Sequence, residues 1–355
     1  MIPIYRPTIR RADMDAVLTR LVHDAIGVGS VSREFSLAVA KYLGRRTGVS
    51  VRTYRAALSA SLHSLGLAPG ARIGISALAR GAVWRVIEEC GYVPVAVDTQ
   101  KQIPVLPSPL NFDYQGLDIS ALFVDARLGY ICDLDHLKEL RFPIIEDVSE
   151  GLGGNTGDTM AGEVGEITIV GLEPDHIITA GGGTAVVTNG TKRLSQLSSW
   201  AADDRGESPL PDMNAALGLT QLRQIEKFVE RRRELTARFL RTVQRGRHSV
   251  PLQDGEVENV FSALPVRLES SPREVEQYAR EHDVSADRAF RDTVLALISG
   301  SDESDGGEST GGGEDVGRSF PNAVAIASRM VIFPLFPTLS KGDQDKIERV
   351  LATMP

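Results

Sequence analysis

Gly171-Leu-Glu-Pro-Asp-His176-Ile-Ile-Thr-Ala-Gly-Gly-Gly-Thr-Ala-Val-Val-Thr-Asn189 is the stretch on which the reading of this chain turns. Residues 167–172 and 184–188 are short runs rich in β-branched side chains, and the three glycines at 181–183 supply a turn between them. Upstream, apolar runs at 72–76, 93–97, 121–124 and 143–145 each lie beside a segment of helical character. Amphipathic helices are expected at 12–21, 31–43 and 55–65. This alternation predicts βα units and a mostly parallel sheet.

Downstream, the pattern predicts one long helix over 213–245, with Glu230-Arg-Arg-Arg-Glu234 on a solvated face. From Val260 the texture becomes that of a smaller α+β part, with a strand over 260–268 and a helix over 272–282. The expected division is a large domain over 1–245, including the long helix, and a small C-terminal domain over 246–355. Residues 300–317 are acidic, rich in Gly and Ser and nearly devoid of apolar side chains. Such a segment cannot offset its ordering entropy by burial, so a disordered surface loop is expected.

The chain has 355 residues, 42% of them hydrophobic and 24% charged, which suits a soluble globular protein. A formal net charge of -8 carries no basic footprint for nucleic acid. Apolar runs such as 119–124 are too short to span a bilayer, and the N-terminus lacks the sustained apolar region of a leader. Cys90 and Cys132 show no metal-like spacing and read as buried thiols; the six scattered histidines point to no metal site. A cytoplasmic protein with no membrane or nucleic-acid partner is expected.

Several segments, in order, resemble the DegT/StrS family of nucleotide-sugar aminotransferases. They are Ile2-Pro-Ile-Tyr-Arg-Pro-Thr8, Leu65-Gly-Leu-Ala-Pro-Gly70, Cys90-Gly-Tyr-Val-Pro-Val-Ala-Val-Asp98, Pro143-Ile-Ile-Glu-Asp-Val-Ser-Glu-Gly-Leu-Gly153, the helix beginning Ala215-Ala-Leu-Gly-Leu219, and Phe333-Pro-Leu-Phe-Pro-Thr-Leu-Ser-Lys-Gly-Asp-Gln344. The resemblance implies the α/β fold of aspartate aminotransferase: a large domain with a mixed, mostly parallel sheet and a small C-terminal α+β domain. It also implies a homodimer, with the loop Gly27-Val-Gly-Ser30 near the interface, and pyridoxal phosphate held by a lysine.

At the implied site the residues depart from the family. His176 stands at the Schiff-base lysine, and imidazole forms no aldimine. Asp147 stands where an aspartate faces the pyridine nitrogen and keeps it protonated; the alternative is that it only caps the following segment. Thr53-Tyr54-Arg55 replaces a small-residue phosphate turn, so Tyr54 is expected to fill part of the phosphate space. Arg55 is either an anion clamp or a surface arginine paired with a carboxylate. Gly171 replaces a phosphate-binding serine, Glu150 a ring-contacting glutamine, and residues 78–80 contain no stacking aromatic.

Three functions follow. One is an active aminotransferase using pyridoxal phosphate. Another is a dehydratase that holds pyridoxamine phosphate and uses His176 as base, as a histidine-bearing branch of the family does. The third is a homologue without cofactor or lysine-dependent transamination that binds a nucleotide sugar or another anion. Concerted change around one ligand favours the third, and with it no cofactor.

Overall fold

The structure, a computed structural model, describes residues 1–202, 209–253, 255–300 and 313–355. Its main sheet contains β1 (Thr47–Val51), β2 (Arg72–Ser76), β3 (Val93–Val97), β4 (Ala121–Asp125), β5 (Ile144–Asp147), β8 (Ile167–Gly171) and β9 (Thr184–Thr188). The order is β1-β9-β8-β5-β4-β2-β3. Strands β3 to β8 along this order run parallel; β9 runs antiparallel to both β8 and β1. β4, β8 and β9 are buried along their whole length, which explains their near-continuous apolar sequences. A small ladder joins β6 (Asn155–Thr156), β7 (Thr159–Met160) and β10 (Val257–Glu258). A second three-stranded sheet orders β11 (Leu264–Arg267), β13 (Met330–Phe333) and β12 (Asp287–Arg288). One apolar cluster runs from Phe35 and Val39 through Leu152 and Phe239 to Phe333 and Met354, so the C-terminal sheet shares its core with the main one.

The mixed, mostly parallel sheet matches the expectation, but β1 was not legible. Thr47-Gly-Val-Ser-Val51 is short, half polar and interrupted by glycine. A Cβ at Gly48 would lie 2.6 Å from the Val186 carbonyl oxygen, so the close approach to β9 requires glycine there. The single long helix expected over 213–245 is two, Asp212–Leu222 and Ile225–Val243, broken at Gln224 with φ -108° and ψ 3°. The first half packs on the helices Arg11–Val22 and Ser30–Tyr42, the second on Lys341–Thr353. Gln221, beside the break, donates to the Thr8 carbonyl at 2.8 Å and to Asp13 at 2.7 Å.

The expected solvated arginine face is also divided. Arg231 pairs with Glu234 and Arg233 with Glu258, each at 2.7 Å. Arg232 is buried, and its Nη1 donates to the carbonyls of Phe261, Ser262 and Leu335 at 3.1, 3.0 and 2.6 Å. Burial without a facing carboxylate lowers its pKa to about 10. Cys132 is buried as expected and its thiol is pushed up to about 12 by burial, whereas Cys90 is only half-buried. The strand expected over 260–268 is confined to β11. Of the loop expected over 300–317, residues 301–312 lie outside the described residues, while Gly313–Ser319 is helical. Among the described residues no helix is long and apolar enough to cross a membrane.

Candidate functional site

The carboxyl ends of β4, β5 and β8 converge with the starts of the helices Tyr54–Ser64 and Gly81–Glu89. Open α/β sheets bind ligands at such strand ends. A cavity of about 170 Å³ lies there, lined among others by Tyr54, Arg80, Asp125, Arg127, Asp147, Glu150, Glu173 and His176.

Asp147 ends β5 and caps the turn that follows, one of the two readings left open for it, while its other oxygen faces the cavity. Its Oδ1 accepts the Ser149 backbone N–H at 2.9 Å and the Ser149 hydroxyl at 2.5 Å, which fixes the turn after the strand. Its Oδ2 faces the cavity and accepts the Tyr54 hydroxyl at 2.6 Å. Period-two alternation sends the preceding Glu146 to the other face, where its carboxylate accepts the backbone N–H groups of Gly162, Val164 and Gly165.

Tyr54 reaches Asp147 because Thr53 starts its helix. The Thr53 hydroxyl accepts the Ala56 N–H at 3.1 Å, an N-cap that leaves Tyr54 directed inward. Burial, and then the neighbouring Asp147 charge, raise the Tyr54 pKa well above its ordinary value, so the phenol stays a donor. Arg55 points outward and lies 2.5 Å from Glu89 on an exposed surface, so the surface-pair reading, not the anion clamp, describes it. Thr53 caps the helix and does not line the cavity.

His176 is buried and folds over Gly171. A Cβ at Gly171 would lie 2.5 Å from His176 Cε1, 2.7 Å from its Nδ1 and 2.9 Å from the Ser149 hydroxyl. Gly171 therefore contributes space for the imidazole, and its N–H donates to the Ser149 hydroxyl at 2.7 Å. His176 Nδ1 accepts the Glu173 N–H at 3.2 Å, which assigns the ring proton to Nε2, 3.9 Å from Asp175.

Glu150 is the anchor of an ion network. Arg127 and Arg80 approach its Oε1 at 2.7 and 2.8 Å, and the Leu128 N–H donates to Oε2 at 2.7 Å. Arg80 also reaches Asp175 at 3.1 Å. Burial alone would raise the Glu150 pKa, but the Arg127 and Arg80 guanidiniums hold it down to about 2. Asp125 behaves oppositely. Burial raises it, Arg127 lowers it, Asp147 and Glu150 raise it again, and it is pushed up to about 7.

Sequence reasoning thus brought Tyr54, Asp147, Glu150 and His176 to one cavity, set Gly171 beneath it, and misplaced Thr53 and Arg55. It missed Arg80, Asp125, Arg127 and Ser149. One signal was available: Val124-Asp125 ends β4 as Glu146-Asp147 ends β5, and Asp125 and Asp147 are register neighbours.

A mixed α/β sheet carrying a polar cavity at its strand ends defines the aspartate-aminotransferase-like class. A profile of the DegT/DnrJ/EryC1/StrS aminotransferase family matches residues 7–352, and the chain belongs to that family. It is 26% identical over 256 residues to GDP-perosamine synthase of Caulobacter vibrioides, covering 65% of this chain and 67% of that protein. Spore coat polysaccharide biosynthesis protein SpsC of Bacillus subtilis is 22% identical, over 98% of this chain and 95% of SpsC. The PMP-form of a putative sugar aminotransferase, Spr1654 from Streptococcus pneumoniae, shares the fold with a TM-score of 0.84 at 20% identity, covering 99% and 97% of the two chains. That protein is also known in a PLP-form. The chain is therefore sugar-aminotransferase-like and related to proteins of nucleotide-sugar and polysaccharide biosynthesis.

Proposed function

We propose that this chain retains the family fold as a binding protein, holds neither pyridoxal nor pyridoxamine phosphate in this cavity, and performs no lysine-dependent transamination. The observation that carries the reading is the 2.6 Å hydrogen bond from Tyr54 to Asp147. It ties the residue at the implied phosphate turn to the carboxylate at the implied ring nitrogen, so the phenol spans the path a pyridine ring would follow.

The remaining residues do not fit the cofactor either. No lysine lines the cavity among the described residues, and its volume of about 170 Å³ is below the roughly 300–1,000 Å³ of pockets for drug-sized ligands. Gly171 offers no hydroxyl to a phosphate. The dehydratase reading needs a free basic nitrogen on His176, yet Nδ1 accepts a backbone N–H and Nε2 carries the proton. Nor does the cavity floor suit the expected anion: Asp125, Asp147, Glu150 and Glu173 outnumber Arg80 and Arg127 there.

A homodimer belongs to the same reading. Met14, Leu18, Leu21 and Val22 form an exposed apolar stripe on one helix, continued by Ile26 and Val28 beside the Gly27–Ser30 loop.

The test restores the lysine. His176→Lys mixed with pyridoxal phosphate should give no aldimine absorbance near about 420 nm, whereas His176→Lys combined with Tyr54→Gly should gain it. An aldimine band in the single variant would refute the obstruction by Tyr54.

A further inference from the structure

Asp125 is the buried lining carboxylate to which, among the described residues, no other residue donates; Glu173, the other lining carboxylate without a donor there, is only half-buried. It ends β4, is 8% exposed and borders the cavity. Among the described residues no other residue's side chain or backbone donates a hydrogen bond to it. The carboxylates around it are provided for: Asp147 by Tyr54 and Ser149, Glu150 by Arg80, Arg127 and the Leu128 N–H. Arg127 is near enough to favour the Asp125 charge, but its Nη1 is engaged with Glu150 and its guanidinium lies 5.8 Å from the Phe290 ring. With Asp125 ionised, four carboxylates and two guanidiniums line the cavity, an excess of two negative charges.

A buried carboxylate that receives only its own N–H is costly, and ligand pockets orient their ligands with a few polar groups left facing the cavity. Resting on the cofactor-free reading above, we infer that this cavity is a binding site for a small organic cation, a protonated primary amine, whose ammonium is received by Asp125 beside Asp147. An ammonium brings three donors and one positive charge, which matches an acceptor-only carboxylate in an acidic floor. A cavity of about 170 Å³ accommodates a small amine. The pKa of Asp125, pushed up to about 7 by burial, is what an acidic site looks like before its cation arrives.

The experiment is thermal unfolding of the full chain at pH 8 and constant ionic strength, titrated with ethanolammonium chloride and, in parallel, with ethylene glycol. The two probes have closely similar shapes and differ in charge. Ethanolammonium should raise Tm saturably by about 1–3 °C and ethylene glycol should not. Asp125→Asn should abolish the rise. Equal shifts from both probes, or a rise that persists in Asp125→Asn, would overturn the inference.

Should Asp125→Asn fail to fold, the pH dependence of the unmodified chain decides. Asp125 is faced by Asp147 and Glu150 from the β5 end, by Arg127 from its own turn, by Tyr54 and Arg80 from the two helix starts, and by Glu173 and His176 from the β8 side. Affinity for ethanolammonium should weaken about tenfold from pH 8 to pH 6 as Asp125 gains its proton, and should do so equally in His176→Gln. A flat profile would overturn it. Pyridoxamine phosphate added as a third probe keeps the two claims apart: a saturable shift with it would strike the cofactor-free reading, whereas the amine arm reports on Asp125 alone.

Discussion

Gly171 and His176, each read from the sequence as a departure from the family pattern, are packed against each other in the fold. The imidazole lies where a Cβ on residue 171 would be, 2.5 Å from Cε1, so the larger side chain at 176 requires the smaller one at 171. Gly171→Ala should therefore cost about 1–3 kcal/mol in denaturant unfolding, and the cost should shrink in a His176→Ala background. Additive effects would refute the pairing. Asp125 supports a second prediction at this scale. Its folded-state pKa is raised from 3.8 to about 7, so the folded protein binds that proton more tightly than the unfolded chain. Its contribution to stability falls as pH rises from about 4 to 7, and Asp125→Asn should be more stable than the parent by about 1–3 kcal/mol at pH 8, with no difference below about pH 4. Glu150 acts in the other direction. Held down to about 2 from 4.5, it stabilises above about pH 4.5 and loses that contribution as pH falls toward 2. Chemical denaturation of both proteins across this range measures the gap; a gap independent of pH would contradict the assignment. Of these residues the sequence marked His176, Gly171 and Glu150 as altered, but not how they meet. Contacts such as Tyr54 to Asp147 join positions 93 apart and are set by the sheet, not by local pattern.

At the scale of elements, periodicity was sufficient wherever burial is regular. β4, β8 and β9 are buried throughout and mostly apolar because both faces are covered, and their limits are close to those expected from the sequence pattern. It failed where tertiary contacts override local preference. Thr-Gln-Leu-Arg-Gln-Ile contains neither glycine nor proline, yet the helix breaks at Gln224 because its two halves pack on different partners. It failed again at Arg232, which sits between two half-buried arginines, each paired with a carboxylate, in an ordinary charged run. Its guanidinium joins the helix Ile225–Val243 to the carbonyls of Phe261 and Ser262, before β11, and of Leu335, after β13. Arg232→Met removes these donors and leaves buried carbonyls unpaired. It should destabilise the protein by about 2–4 kcal/mol, whereas Arg231→Met should stay within about 0.5 kcal/mol. Equal effects at the two positions would show that Arg232 is not a buried tie.

At the scale of the whole molecule, the fold is that of the family, and the proposed difference lies in the chemistry at its strand ends. The sheet order, the helix starts and the position of Asp147 suit a family whose relatives include GDP-perosamine synthase. The cavity between them holds a phenol, an imidazole and an ion network. The apolar stripe from Met14 to Val28 gives the same scale its own prediction: sedimentation should show a dimer, and Leu18→Asp with Val22→Asp should yield a folded monomer. A monomeric parent protein would refute the interface. In the proposed function Tyr54 occupies the path of the cofactor ring, and equilibrium dialysis of the native-sequence protein against pyridoxamine phosphate, beside Tyr54→Gly, measures this. The native-sequence protein should show no saturable binding and the variant measurable binding; saturable binding to the native-sequence protein, lost in Asp147→Ala, would refute the obstruction.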